Sequence, residues 1–445
     1  MNFSEIKQVI SDAAKKAGVN EYDVYYSTAS NVSIETLKAE VSGFSSSDAM
    51  GIGFRCIVDG KFGQASCEYI TAEELESLVF KAAENAKYIE SDDEAIIFKG
   101  SQKYNDVPVE RFEMTPASEL KEIALSLQKK TYEQSVLVVD GTQCSVSANS
   151  VQVYMFNSYG VELQKSAGFV HYASCPVVSN GEDSEDGWES KTVKNFDNID
   201  EVAKEAVKIA VAKLGADTVE SGKYNIVISG RSFCDLLSEF CPCFSAKQVK
   251  LGLSRLAGKV GEKIASDIIT ITDDPISDKL CGKNVFDGEG VATSKKNVIE
   301  KGVLKTLFYD LAMAKHFGVE PTGNASRGYA SPVTISPYFL CVNKGETSFD
   351  AILGEAENGI YITELKSFSA SNAVTGDFSI ESAGFLIENG KLGNFVKSFT
   401  IAGNFFDILK NVEALSDKLH VEPAGAFKGF ASPDILVKNI SIAGN

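Results

Sequence analysis

The sequence predicts an α+β protein built in two parts. In residues 1–216, hydrophobic periodicity predicts a helix, several antiparallel strands and a helix, and this order occurs twice. Residues 217–445 contain mostly short strand-like runs separated by glycine-containing turns, with brief helices between them. A chain of 445 residues with 44% hydrophobic residues is long enough for two or three domains. We therefore expect an N-terminal α+β domain and a β-rich, barrel-like or sandwich-like C-terminal domain.

The N-terminal domain divides into two units of similar pattern, residues 1–100 and 115–216. In the first unit, apolar residues at helical spacing predict a helix over residues 3–18, and Thr71 caps a second helix that runs to about residue 87. The strands predicted in the first unit are residues 23–27, 32–37, 49–58 and 62–69. The second unit is predicted to contain helix 118–133, strands 136–139, 151–156, 161–169 and 171–178, and helix 199–214. The similarity lies in pattern rather than identity, so a duplication is a hypothesis.

The C-terminal domain begins after Ala216, where strand-like runs and turns replace the long helices. The longest predicted helix covers residues 232–256 and is interrupted by Pro242, because proline lacks the N–H that a helix interior needs. Strands are predicted at residues 224–229, 268–272, 303–309, 338–342, 360–362 and 435–440, and brief helices at 311–317, 349–353 and 405–411.

Charge and cysteine content restrict the classes of function. The formal net charge of −18 repels phosphate backbones, so we expect no direct binding to nucleic acid. No apolar run approaches the roughly 18 residues of a membrane span, and the N-terminal segment predicts an amphipathic helix rather than a signal peptide. Nine scattered cysteines, most of them in apolar runs, are typical of free thiols in a reducing compartment. The sequence thus favours a cytoplasmic protein.

One polar segment interrupts the apolar runs of the C-terminal domain and is the first candidate binding site. Asp377, Ser379, Glu381 and Ser382 precede an Asn-Gly turn that predicts a hairpin, and a helix N-terminus follows at residues 402–404. A polar cluster between a hairpin and a helix start resembles the wall of a site. A surface turn with solvated acids explains the same spacing, and both interpretations stay open.

A second candidate lies in the glycine-containing loop PTGNASRG. Asn324 offers an amide and Arg327 a planar cation, which suit a peptide carbonyl or a carboxylate. An ordered connection between two strands is the alternative.

Carboxylates at residues 273–274 and 287–289 could act as general acid and base, but aspartate beside proline or glycine more often stabilises a turn.

Histidine gives little support for a metal site. His171, His316 and His420 are the three histidines, and none is paired with another at a spacing of four or five residues. The HExxH motif of zinc helices is absent, and the thiols of Cys241 and Cys243 have no second pair to complete four ligands. We therefore expect no metal in this chain and assign no catalytic residue.

Seven ordered motifs of the C-terminal domain resemble the TldD/PmbA family, whose members are also called modulators of DNA gyrase. They are GEK at residue 261, DDP at 273, FDGEG at 286, KGVLKTLFYDLAMAK at 301, PTGNASRG at 321, TGDFSIESAGFLIENG at 375 and IAGNFFDIL at 401. The resemblance is closer to the PmbA branch, also called TldE, and it is looser in the N-terminal half of the chain.

The resemblance implies a subunit of a cytoplasmic metallopeptidase that acts on small or unfolded peptides. In the TldD branch an HExxxH motif and a later cysteine hold the metal. The matching positions here are Leu237, Pro242 and Ser382, which supply neither imidazole nor thiolate. The resemblance therefore implies a metal-free, non-catalytic subunit, with zinc on a TldD-like partner that carries HExxxH.

The contribution expected of this subunit is a peptide groove and a protein interface. The candidate substrate-binding residues are Asp377, Ser379, Glu381, Asn324 and Arg327. A homodimeric protein that binds peptides or a client without hydrolysis is the alternative.

Overall fold

A computed structural model describes residues 1–90, 92–109 and 111–445. The elements up to residue 213 are α1 (Phe3–Lys16), β1 (Glu21–Leu37), β2 (Glu40–Val58), β3 (Lys61–Cys67), α2 (Ala72–Asn85), α3 (Ala117–Glu133), β4 (Val138–Asn157), β5 (Glu162–Ser179), β6 (Ser184–Asp186), β7 (Glu189–Val193) and α4 (Ile199–Lys213). The strands form one antiparallel sheet in the order β3-β2-β1-β4-β5-β6, and β7 also pairs with β5. The pairing of β1 with β4 therefore joins the two helix–strands–helix units, whose origin by duplication is still a hypothesis.

The two faces of this sheet have different neighbours. One face is covered by helices, since apolar residues of α1 and α2 pack on β1 and β2, and those of α3 and α4 pack on β4 and β5. The other face contacts the C-terminal half of the chain, where Tyr25 and Met155 pack against Phe286. Side chains alternate between the faces of a strand, so each long strand contributes both to a helical core and to this contact.

The sequence interpretation divided β1 incorrectly. Residues 23–27 and 32–37 belong to one strand, because the polar residues between them pair with β2 on one side and β4 on the other. Likewise β2 begins at Glu40 rather than at residue 49, and its first eleven residues are mostly exposed. Cross-strand hydrogen bonds extend these strands where the sequence has no alternation of apolar and polar residues.

The remaining elements are β8 (Gly222–Ile228), α5 (Gly230–Phe240), α6 (Ala246–Lys250), β9 (Ile271–Asp273), β10 (Lys296–Glu300), β11 (Val303–Leu304), α7 (Leu311–Phe317), β12 (Ala325–Ser326), β13 (Thr334–Ile335), β14 (Phe339–Val342), α8 (Phe349–Ala356), β15 (Gly359–Lys366), β16 (Asp377–Glu388), β17 (Lys391–Asn404), α9 (Phe405–Lys410), β18 (Val412–Leu415), β19 (His420–Pro423), β20 (Gly429–Ser432) and β21 (Ile435–Ala443). Strands β17-β16-β15-β8-β21 form a sheet that the β17–β21 pairing closes into a barrel. A second sheet has the order β11-β10-β9-β14-β20-β19, and β12 pairs with β13. The α+β class and the barrel-like C-terminal part are thus confirmed.

Helix α5 is shorter than the sequence predicts. It ends at Phe240, and a single 3-10 turn, Cys241–Phe244, follows before the five residues of α6. Pro242 stands in the first turn of that 3-10 segment, where its missing N–H is tolerated. The ring of Phe240 stacks on that of Phe405 with centroids 4.8 Å apart, which fixes the end of α5 against the barrel.

The hairpin and the helix start predicted around residues 377–409 are confirmed. Asn389 and Gly390 have positive φ values of 50° and 73°, and they join β16 to β17. The Asn404 side chain accepts a hydrogen bond from the N–H of Phe406 and caps α9. Within the described ranges, no helix is long and apolar enough to cross a membrane.

Candidate functional site

The positions that would match a metal site lie at the end of α5 and on β16. Leu237 is completely buried in the core of the C-terminal half, whereas Pro242 is exposed. Ser382 is also fully buried, and its hydroxyl donates a 3.0 Å hydrogen bond to the carbonyl oxygen of Ile380. Within the part of the chain that the structure describes, no three His, Cys, Asp or Glu side chains are grouped as metal ligands. The residues at these positions therefore do not fit a zinc ion.

Other polar groups surround the end of α5. The Ser371 hydroxyl donates to the Glu239 carboxylate. Lys428 donates to the hydroxyls of Ser326 at 3.0 Å and Ser336 at 2.8 Å. Burial raises the pKa of Cys241 to about 12, so this thiol is protonated at neutral pH and is a weak nucleophile. The region is polar, but the Cys241 thiol within it is not activated as a nucleophile.

Asp377, Ser379 and Glu381 lie on one exposed face of β16, where they alternate with buried residues. The Asn404 amide donates to Asp377 at 2.8 Å and, as the largest cause, holds the pKa of this carboxyl below its usual value. Glu381 lies 3.7 Å from the Lys366 ammonium. This face offers carboxylates, a hydroxyl and a lysine to solvent, as a binding surface for polar peptides would.

A loop connects this exposed face to the end of α5. The N–H of Ser379 donates to the carbonyl oxygen of Ala370 at 3.3 Å, and the N–H of Asn372 donates to that of Asp377 at 2.8 Å. The same loop carries Ser371 to Glu239. The segment 367–376 thus fastens the start of β16 next to the positions that match the metal site.

Asn324 and Arg327 have different surroundings. Asn324 is fully buried and donates to Asp273 at 2.8 Å and to the carbonyl oxygen of Ser336 at 3.2 Å. Arg327 has a side chain only 2% exposed, and it donates to Asp23 of β1 at 2.7 Å. The structure does not place these two residues on the exposed face of β16. Contact of any of the five candidates with a substrate is still a prediction.

The carboxylates of the FDGEG segment are buried. Asp287 accepts hydrogen bonds from the N–H groups of Glu289, Val291 and Ala325 at 2.9–3.0 Å, which is the turn-stabilising role that the sequence favoured. Glu289 accepts from the N–H of Leu311 at 2.9 Å. Burial raises the pKa of Asp287 to about 6 and that of Glu289 to about 7.

Sequence analysis did not identify a buried cluster of two arginines and two carboxyl groups, Asp23–Arg55–Arg327–Glu289, which joins the two halves of the chain. Arg55 of β2 lies directly opposite Asp23 of β1 and donates to its carboxylate at 2.5–3.2 Å. The Glu289 carboxylate lies 3.4 Å from Arg55. Burial alone would raise the pKa of Asp23, but the guanidiniums of Arg327 and Arg55 outweigh it and lower that pKa. One signal was available, since an arginine between the buried residues of a strand needs a partner.

Replacing Glu289 with glutamine tests the raised pKa. The folded chain keeps this proton up to about pH 7, whereas an unfolded chain releases it near pH 4.5. The stabilising contribution is therefore complete at low pH and is lost as the pH rises through about 7. Between pH 5 and pH 8, the free energy of unfolding of the unmodified chain should therefore fall relative to that of the variant by on the order of 2 kcal/mol, measured by urea unfolding at both pH values. An unchanged difference, or the same fall relative to the exposed control Glu73→Gln, would contradict the prediction.

A second polar region lies between β7, α4 and β19, around a cavity of about 500 Å³. Arg231 of α5 donates to Glu189 of β7 at 2.5 Å, and His420 lies 2.9 Å from Glu422. Burial, together with the charge of Glu422, raises the pKa of Asp235 to about 6. His420 therefore has a carboxylate partner at the edge of this cavity.

Comparison with known proteins agrees with this architecture. Models of the PmbA/TldA metallopeptidase family match its domain 1 at residues 22–86, its central domain at 110–214 and its C-terminal domain at 221–444. An uncharacterized protein of Methanocaldococcus jannaschii is 32% identical over 423 residues, which cover 92% of this chain and 95% of the relative. A metalloprotease PmbA homolog of Haemophilus influenzae is 24% identical and covers 99% of this chain and 96% of its own length. TldE of Thermococcus kodakarensis superposes with a TM-score of 0.90 at 23% identity, over 99% of this chain and all of that one.

A closed barrel attached to an antiparallel α+β domain, with polar residues around the end of α5, defines a protein with a metallopeptidase-type scaffold. The chain belongs to the PmbA/TldD metallopeptidase family. The resemblance to its PmbA/TldE members is confirmed.

Proposed function

We propose that this chain is the metal-free, PmbA/TldE-like subunit of a cytoplasmic TldD/TldE-type metallopeptidase that acts on small or unfolded peptides. The single observation that carries the proposal is the environment of Leu237, a fully buried leucine at a position where the TldD branch has a ligand. Pro242 and Ser382 at the other two positions add no imidazole or thiolate. Zinc and the general base then belong to a TldD-like partner.

The part played by this subunit is to bind peptide beside the catalytic centre of its partner. The exposed face of β16 supports this role, because Asp377, Ser379 and Glu381 face solvent. They also lie beside the loop 367–376, whose Ser371 donates a hydrogen bond to Glu239 of α5. Asn324 and Arg327 complete the candidate set from a buried position, where they support the PTGNASRG loop.

The test is to purify this chain with and without a TldD-like subunit that carries HExxxH. The chain alone is expected to contain no stoichiometric zinc and to leave unfolded peptides intact, whereas the complex cuts them and loses activity with a chelator. A partner variant that lacks both histidines is the control, and its complex should be inactive. Stoichiometric zinc in the chain alone, with proteolysis that a chelator abolishes, would overturn the proposal.

A homodimeric protein that binds a client without hydrolysis is the second candidate, and one observation favours it. Among the residues that the structure describes, the first part of β2, from Glu40 to Gly51, pairs with β1 alone, since β3 begins its pairing at Ile52. Phe44 and Met50 on this segment are 61% and 46% exposed. An open strand edge with exposed apolar side chains is suited to adding a strand from a second molecule. A dimeric mass in solution with no binding to a TldD-like chain would favour this candidate.

A further inference from the structure

A small cavity lies between the N-terminal sheet and the loop that follows β12. Its volume is about 180 Å³, and its lining includes Arg55, Gln64 and Ser66 of β2 and β3 together with Arg327 and Ser331 of the loop. Arg55 pairs with Gln64 across the strands, as Gly53 does with Ser66, so these four residues face the same side of the sheet. The cavity therefore combines two guanidiniums with amide and hydroxyl groups.

The loop is held closely over the sheet. A Cβ atom at Gly51 would clash with the Tyr329 ring, and one at Gly53 would clash with the Tyr329 carbonyl oxygen. The Tyr329 hydroxyl donates to Glu68 at 2.5 Å, and the N–H of Gly328 donates to the Ser331 hydroxyl at 2.7 Å. The shape of the cavity is therefore set by the fold and needs no ligand to form it.

Among the described residues, Arg327 makes fewer hydrogen bonds to the protein than Arg55, whose three nitrogens all donate to Asp23 or Glu289. Within the described ranges, Arg327 donates to a protein acceptor only through Nη2, and its buried Nε has no partner. Both guanidiniums share the carboxylate of Asp23, while burial raises the pKa of the second nearby carboxyl group, Glu289, to about 7. Two guanidiniums that share one carboxylate leave positive charge beside the cavity, so an added acceptor with negative charge would be favourable here.

We propose that this cavity binds a carboxylate, with Arg327 as its principal donor and the positive charge of Arg55 beside it. A planar carboxylate matches the fork of a guanidinium, and a single negative charge balances two arginines that already share Asp23. The source is either the terminal carboxylate of a short peptide or a small free carboxylic acid. In the first case the cavity adds a terminus-specific subsite to the proposed peptide-binding function.

The test titrates the full chain, without metal or partner subunit, with acetate, the dipeptide Ala-Ala and Ala-Ala amide, followed by NMR chemical shifts or calorimetry. We expect saturable binding of at least one carboxylate and none of the amide. Binding of Ala-Ala but not acetate identifies a peptide terminus, whereas binding of acetate with or without Ala-Ala identifies the carboxylate group itself as sufficient. Equal binding of the amide, or no saturable binding of either acid, would overturn the proposal.

Three variants make the assignment specific. Arg327→Gln removes one of the two guanidiniums, and we expect at least about a tenfold loss of affinity. Ser66→Leu fills the mouth of the cavity from an exposed position and should abolish binding while both arginines stay in place. Arg111→Gln removes an exposed arginine elsewhere and should bind like the unmodified chain. Unchanged affinity in the first two variants would overturn the proposal, and since no zinc is involved, this outcome is independent of the TldD-like partner.

Discussion

Replacing Asp23 with asparagine is expected to lower the free energy of unfolding by about 3–5 kcal/mol. Asp23 is 1% exposed and neutralises two buried guanidiniums, those of Arg55 and Arg327. Without its charge, both cations stay buried and lose the carboxylate that they share, and burial of an uncompensated charge is costly. Urea denaturation followed by circular dichroism measures the loss.

The effect should also appear in how the two halves of the chain unfold. Arg327 belongs to the C-terminal half and Asp23 to the first sheet, so the substitution weakens the contact between them. We expect the unfolding transition of the variant to broaden or to divide into two steps. Asp12→Asn, which changes an exposed aspartate of α1, is the matched control and should leave the midpoint unchanged.

A double-mutant cycle separates this pair from general disruption. If Asp23 and Arg327 act together, Asp23→Asn should cost less in an Arg327→Gln background than in the unmodified chain. Equal costs in both backgrounds would show that the ion pair across the two halves contributes nothing. A loss no larger than that of the Asp12→Asn control would contradict the prediction as a whole.

Local signals in the sequence were sufficient for much of the barrel region. The Asn389-Gly390 turn, the cap at Asn404 and the interruption at Pro242 each depend on residues within a few positions of one another, and all three are present. The length of β1 and β2 could not be predicted in the same way. Their serine-rich parts have no alternation, and they are strands because neighbouring strands pair with them.

The candidate site was less predictable than the fold because its contacts are distant in sequence. Arg327 and Asp23 are 304 positions apart, and Arg55 and Glu289 are 234 apart. The sequence indicated Arg327 as a cation for a carboxylate, but it could not show that Asp23 already fills part of that role. The sequence indicated the polar residues 377–381 but not the strand that carries them, because β16 begins at Asp377, where exposed and buried residues alternate.

The second large effect is expected when the histidines of the TldD motif are introduced. Leu237→His should lower the free energy of unfolding by about 3 kcal/mol or more, because it removes a core leucine and buries an imidazole without a partner. Leu251→His is the matched control, since Leu251 is 58% exposed and should tolerate the change. Chemical denaturation of the three proteins under the same conditions measures the difference.

The double variant Leu237→His, Pro242→His is expected to acquire no stoichiometric zinc, measured by atomic emission after dialysis. Two imidazoles would not share a metal here, because position 237 lies within the core while position 242 faces solvent. The third position, Ser382, is also buried, and its hydroxyl is directed to the carbonyl oxygen of Ile380. Zinc bound at one equivalent, with stability close to that of the unmodified chain, would show that the scaffold still holds a metal site. It would then be the side chains at positions 237 and 242, rather than the packing around them, that decide whether this scaffold binds zinc.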